Sequence, residues 1–176
     1  VRFKPVPEPP ADLETVETLY RTLPPTVGDV DDCCGHLVDE TPLEDREAAA
    51  TWLTFLHALE LAAAESGSFH RRETGSSGDA GDAVEGPLER GRLGRAFRTR
   101  VDGADAVCTT LETADEPLTV AEVVDERRED GSSDDRRRSG RPRVDPERTE
   151  RLLEWAVLLG LAERAGDGYR AALARE

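Results

Sequence analysis

The sequence predicts a mainly α protein with small β-hairpins, an α+β chain built as two similar units joined by a flexible linker. Three observations carry this reading. Leu152, Trp155, Ala156 and Leu159 fall at i, i+3, i+4 and i+7, the spacing of a helix that buries one face. Gly160 ends that helix, and Leu161 to Arg164, the turn Ala165 to Gly168, and Tyr169 to Ala172 read as a hairpin, because glycine supplies the positive φ a tight turn demands. The same pattern stands one hundred residues earlier without a gap: Trp52, Phe55, Leu56 and Leu59, then Leu61 to Ala64, the turn Glu65 to Ser68, and Phe69 to Arg72.

In this register Pro42/Pro142, Asp45/Asp145, Glu47/Glu147, Leu53/Leu153, Leu59/Leu159, Leu61/Leu161 and Ala62/Ala162 are identical, and Phe69 stands against Tyr169. The bulky ring changes place, Trp52/Leu152 in one pair and Phe55/Trp155 in the other. Two copies filling a similar core volume by different packing would show this. A duplication is the simplest account.

Taken in order, residues 1–11 hold four prolines and are expected to form an extended arm. Asp12 can cap a first helix to about Leu23, with Leu13, Val16, Leu19 (or Tyr20) and Leu23 along one side, before Pro24-Pro25 stops it. A second helix is expected from Thr26, with Val27, Val30, Cys34 and Leu37 inward. The third runs from near Glu44 to about Glu60, and the hairpin closes the first unit, 12–72. Residues 73–87 are Gly, Ser, Asp and Glu with Val84 alone as a sizeable apolar side chain, a flexible linker. The second unit, 88–176, opens with an extra amphipathic helix over Leu88 to Arg100. It then repeats the first helix (Ala104, Val107, Cys108, Leu111) and the second (Thr119 to Val123). Arg127 to Arg143 is a polar insertion expected to be disordered or to order on a partner.

The chain has 38 acidic and 23 basic residues, a formal net charge of −15, with Lys4 its sole lysine. Such composition resembles that of proteins from salt-accumulating halophilic archaea, where surface carboxylates keep a protein hydrated; it speaks to environment and solubility, not function. Three cysteines, two of them adjacent, make no disulfide framework and suit a reducing cytoplasm. No signal-peptide core is seen and no run approaches the roughly 18 apolar residues that cross a bilayer, so a cytoplasmic protein without membrane contact is expected.

The order helix, helix, helix, hairpin resembles the winged-helix superfamily, here as a tandem pair over about residues 12–72 and 88–173. The resemblance rests on order and spacing rather than on a diagnostic motif. It implies that a third helix enters the DNA major groove with the wing at the backbone, as in many transcription regulators. It equally admits the tandem pairs that serve as protein scaffolds in chromosome-complex accessory subunits and trafficking adaptors.

For contact with double-stranded DNA the second unit is the better candidate. Arg136, Arg137, Arg138, Arg141 and Arg143 precede its third helix, Arg148 and Arg151 lie on that helix, and Arg170 lies on the wing, all able to meet phosphates. Thr149 or Arg148 could reach a base edge. Against this, Glu147, Glu150 and Glu154 share the helix, and like charge opposes phosphate. The first unit instead offers Ala48, Ala49, Thr51, Trp52 and Phe55, a smooth face suited to a protein partner, a second copy or an interdomain contact. Cys33, Cys34 and His36 lack the spacing of a zinc knuckle, and Cys34 reads as core, so no metal is expected. His57 reads as packing. No phosphate loop, nucleophile elbow or paired catalytic carboxylates stands out, so neither an enzyme nor a cofactor is implied.

Overall fold

The computed structural model describes residues 3–25, 32–65, 67–72, 90–130 and 144–172. In the first unit α1 (Leu13–Thr22) starts at Asp12, whose carboxylate accepts from the Glu14 N–H at 3.1 Å, and it buries Val16 and Leu19. α2 (Cys33–Glu40) is capped by Asp32, whose φ/ψ are not helical and whose carboxylate accepts from the Gly35 N–H at 3.1 Å. The expected opening at Thr26 to Val30 lies outside the described residues. α2 buries Cys33 and Leu37, while Cys34, expected in the core, is only half-buried. α3 (Arg46–Ala58) is capped by Asp45, and β1 (Ala62–Glu65) pairs antiparallel with β2 (Ser68–Arg71).

The second unit adds α4 (Arg90–Arg100) ahead of the repeat, then α5 (Ala104–Thr113), α6 (Val120–Asp130) and α7 (Pro146–Leu158). It ends in the hairpin of β3 (Ala162–Ala165) with β4 (Gly168–Ala171). Thr119 and Glu122 cap α6 reciprocally: the Thr119 N–H donates to the Glu122 carboxylate at 2.7 Å and the Glu122 N–H to the Thr119 hydroxyl at 3.3 Å. Because α6 continues to Asp130, Arg127 to Asp130 are helical and do not belong to an irregular insertion. Residues 131–143 and the expected linker 73–87 lie outside the described residues. Leu118 adds a third rung beside the second wing, exchanging N–H to O=C bonds with Tyr169 at 2.8 and 2.7 Å.

The duplication is visible at the helix ends. The Leu61 N–H bonds the Leu56 carbonyl and the Glu60 N–H that of His57; in the second unit Leu161 bonds Ala156 and Gly160 bonds Val157. Both closures need a left-handed residue, and Gly160 supplies φ +76° without strain, whereas Glu60 adopts φ +63°. In both hairpins the first strand runs one residue later and the return strand one residue earlier than the hydrophobic pattern suggests, because the outer residues of each expected four-residue turn pair with each other, Glu65↔Ser68 and Ala165↔Gly168.

The two units share one continuous apolar core rather than holding two modest ones. Trp155 of α7, Phe55 and Trp52 of α3 and Phe97 of α4 meet at its centre. The Trp155 ring lies 4.5 Å from Phe55 and 5.7 Å from Trp52, and Phe55 lies 6.5 Å from Phe97. Trp155, Phe55 and Phe97 are fully buried. Ring pairs at these separations contribute about 0.5–1.5 kcal/mol each beyond the area they bury.

Candidate functional site

The third helix of each copy was the expected contact element, and each is partly covered from within the chain. On α3, Ala49, Trp52 and Phe55 are buried and Ala48 and Thr51 half-buried. Of the roles that suit this face, a partner, a second copy or an interdomain contact, its aromatic residues take the last, packing against Trp155 of α7.

α7 is crossed by the N-terminal arm. Phe3 pairs with the end of α4: its N–H donates to the Arg100 carbonyl at 2.7 Å and its carbonyl accepts from the Asp102 N–H at 2.8 Å. Its ring sets edge-on to His57 of the first unit at 5.1 Å and lies under the Arg100 guanidinium at 5.2 Å. Beyond it the arm presents carbonyls to α7. The Lys4 carbonyl accepts from Arg148 at 2.8 Å, that of Val6 from Arg151 at 3.5 Å, and that of Pro7 from the buried indole N–H of Trp155 at 2.9 Å. Val6 is buried beneath the crossing.

This geometry places the predicted DNA-contacting side chains one by one. Arg148 also lies 3.9 Å from Asp102, and Arg170 pairs with Glu163 at 3.0 Å. Thr149 is 1% exposed, its hydroxyl donating to the Asp145 carbonyl at 2.9 Å, so in this fold it has nothing to offer a base edge. Arg136, Arg137, Arg138, Arg141 and Arg143 lie outside the described residues. In the first wing, Arg71 turns back to the carbonyls that end α1, those of Tyr20, Arg21 and Leu23. Elsewhere Arg98 is clamped between Asp105 and Glu112, and Glu60 lies between Arg72 at 3.8 Å and Arg100 at 3.5 Å.

α7 shows Glu147, Glu150 and Arg151 to solvent, and the acidic stripe continues into half-buried Glu154, Val157 and Leu158. Together with Glu8, Pro9, Pro10 and Ala11 of the arm it borders an open groove of about 800 Å³, with Arg151 and Arg164 also in its lining. Glu154 binds Arg164 and accepts from the Tyr169 hydroxyl at 2.6 Å. Burial pushes the Glu154 carboxyl up, but those two hydrogen bonds outweigh it and hold the pKa below its ordinary value. Burial, reinforced by the same carboxylate, pushes the Tyr169 phenol up to about 12. Burial also lowers the pKa of half-buried His57, as do the nearby Arg100 and Arg72, which fits its place between the Phe3 and Phe69 rings.

Sequence reasoning missed the arm as a working part. The available signal was Phe3 and Val6, two sizeable apolar residues in a proline-rich stretch that otherwise has no reason to carry them.

Two copies of a three-helix unit closed by a hairpin, the second preceded by an extra helix, define a tandem winged-helix protein. The chain belongs to the halobacterial double winged helix domain family, whose model matches residues 1–176. No curated protein and no solved structure matches it. Among the described residues no helix is long and apolar enough to cross a membrane.

Proposed function

We propose that this protein is a non-enzymatic cytoplasmic interaction module, a winged-helix scaffold whose third helices serve protein contacts rather than base reading. The observation that carries this is the arm across α7. Arg148, Arg151 and Trp155 each donate to an arm carbonyl, Thr149 is buried, and the solvent side of α7 carries the exposed Glu147 and Glu150 with half-buried Glu154 beyond them and exposed Arg151 beside them. A carboxylate row facing phosphate opposes binding, and the arginines beside it are already hydrogen-bonded. A pull-down from native lysate treated with DNase tests the reading. A specific partner retained after nuclease supports it, and a partner lost with the DNA counts against it.

A second reading, double-stranded DNA bound for regulation of transcription, draws on a different set of charges. Arg90, Arg92 and Arg95 of α4 pair with no carboxylate among the described residues. With Arg136, Arg137, Arg138, Arg141 and Arg143 they would have to provide the phosphate contacts that α7 withholds. Binding by that route would follow backbone charge more than sequence, because phosphate contacts carry no base information.

A further inference from the structure

The groove between the arm and α7 has the chemistry of a peptide site. Along one face of α7, residues 147, 150, 154 and 157 run in a single stripe, acidic over the first turns and apolar at the end. The half-buried Pro9 and Pro10 flank it, with Glu8 on the arm side. Glu154 is balanced by Arg164, and Arg151 is turned to the Val6 carbonyl. Glu8, Glu147 and Glu150 are exposed and pair with no basic side chain among the described residues. The groove lining therefore carries four carboxylates, Glu8, Glu147, Glu150 and Glu154, against the two guanidinium groups of Arg151 and Arg164, a net excess of two negative charges beside an aliphatic patch at Val157 and Leu158.

We propose that this groove binds a short basic segment of a partner protein, extended, with an aliphatic residue over Val157 and Leu158 and two arginines or lysines reaching Glu150 and Glu147. The inference rests on the interaction reading above and names the class of partner. Its length follows from helix geometry. Residues 147 and 157 are separated by about 15 Å at 1.5 Å rise per residue, which an extended peptide covers in about five residues at roughly 3.4 Å each. Alternate side chains of such a peptide share one side, so an aliphatic residue and two basic residues at every second position all face the groove. At molar salt the Debye length is about 3 Å, so direct charge-assisted hydrogen bonds are retained while long-range attraction is lost. Nucleic acid does not fit this groove, because the groove carries the charge of a phosphate backbone.

The test is a titration of the intact protein, methyl-labelled for NMR, with the synthetic pentapeptide Leu-Ala-Arg-Ala-Arg and with its reverse. The expected result is a saturable shift at the Val157 and Leu158 methyls from at least one of them, and none from the peptide with glutamates in place of arginines. Glu147→Arg with Glu150→Arg should weaken binding about tenfold or more. Glu8→Arg, on the arm rather than the helix, should weaken it in the same direction. Equal binding by the glutamate peptide, no methyl shift with either arginine peptide, or unchanged affinity in both variants would overturn the proposal. A lysate partner retained equally by the wild type and by the double variant would overturn this groove while leaving the interaction reading intact. Failure of the wild type to retain any partner would fall on that broader reading.

Discussion

Replacing Trp155 by alanine should loosen the whole chain, because this one ring ties three parts together. It is fully buried, it meets Phe55 and Trp52 of the other unit at 4.5 and 5.7 Å, and its indole N–H holds the Pro7 carbonyl at 2.9 Å. Truncation of a buried tryptophan costs about 3–5 kcal/mol, and the orphaned carbonyl adds about 1 kcal/mol, so a loss of roughly 4–6 kcal/mol is expected. That is a large share of the roughly 5–15 kcal/mol that holds a domain folded. At about 2–4 °C per kcal/mol for a chain of this size, Tm should fall by about 8 °C or more. Thermal unfolding followed by circular dichroism in high potassium chloride measures it. Trp52 is left as the sole tryptophan, and its emission should shift to the red as its neighbour disappears. Trp155→Phe keeps the ring contacts and loses the bond to Pro7, so it should cost only about 1–2 kcal/mol. A loss below about 1 kcal/mol for the alanine variant would mean that the two units do not depend on this junction, and the shared core would be refuted.

Three further outcomes follow from the same geometry. A Cβ on Gly168 would stand 2.7 Å from the Leu118 carbonyl oxygen, so Gly168→Ala should destabilise the second wing by about 1–3 kcal/mol and speed hydrogen exchange at the Tyr169 and Leu118 amides. At Glu60, φ +63° penalises any side chain while the carboxylate lies near Arg72 and Arg100. Denaturant melts should therefore place Glu60→Gly close to wild type and Glu60→Ala about 1 kcal/mol below Glu60→Gly. In a Tyr20→Phe background, Tyr169 should ionise near 12 by ultraviolet titration and move back toward its ordinary 10 in Glu154→Gln. Since the folded state keeps that proton longer than the unfolded state, this contribution to stability is complete below pH 10 and is lost as pH rises from 10 to about 12.

The architecture was legible where side chains write it. Helical spacing in α1, α3, α5 and α7, the Gly160 stop and the ungapped repeat are all side-chain patterns, and the helices they imply are present. The expected four-residue turns were two residues too long, because Glu65, Ser68, Ala165 and Gly168 carry no strand signal in their side chains yet pair across each turn. Asp32 makes the cap of the described part of α2, a role its neighbours Asp31 and Cys33 did not single out in the sequence. Thr149 was read as exposed although it lies on the same stripe as Leu152, Leu153 and Ala156, where its hydroxyl is satisfied by the preceding turn. The arm acts on α7 through the carbonyls of Lys4, Val6 and Pro7, and carbonyls are common to every residue, so composition could not reveal that role.

The most direct test of the account is equilibrium binding of the intact protein to labelled duplex DNA across a potassium chloride series, read by fluorescence anisotropy. With Arg148 and Arg151 held by the arm beside the carboxylates of α7, the account predicts no saturable binding that depends on these two arginines at salt concentrations where the protein is folded. Saturable binding that weakens when Arg148 and Arg151 are replaced by alanine would contradict it, because those guanidinium groups would then have to leave the arm for phosphate.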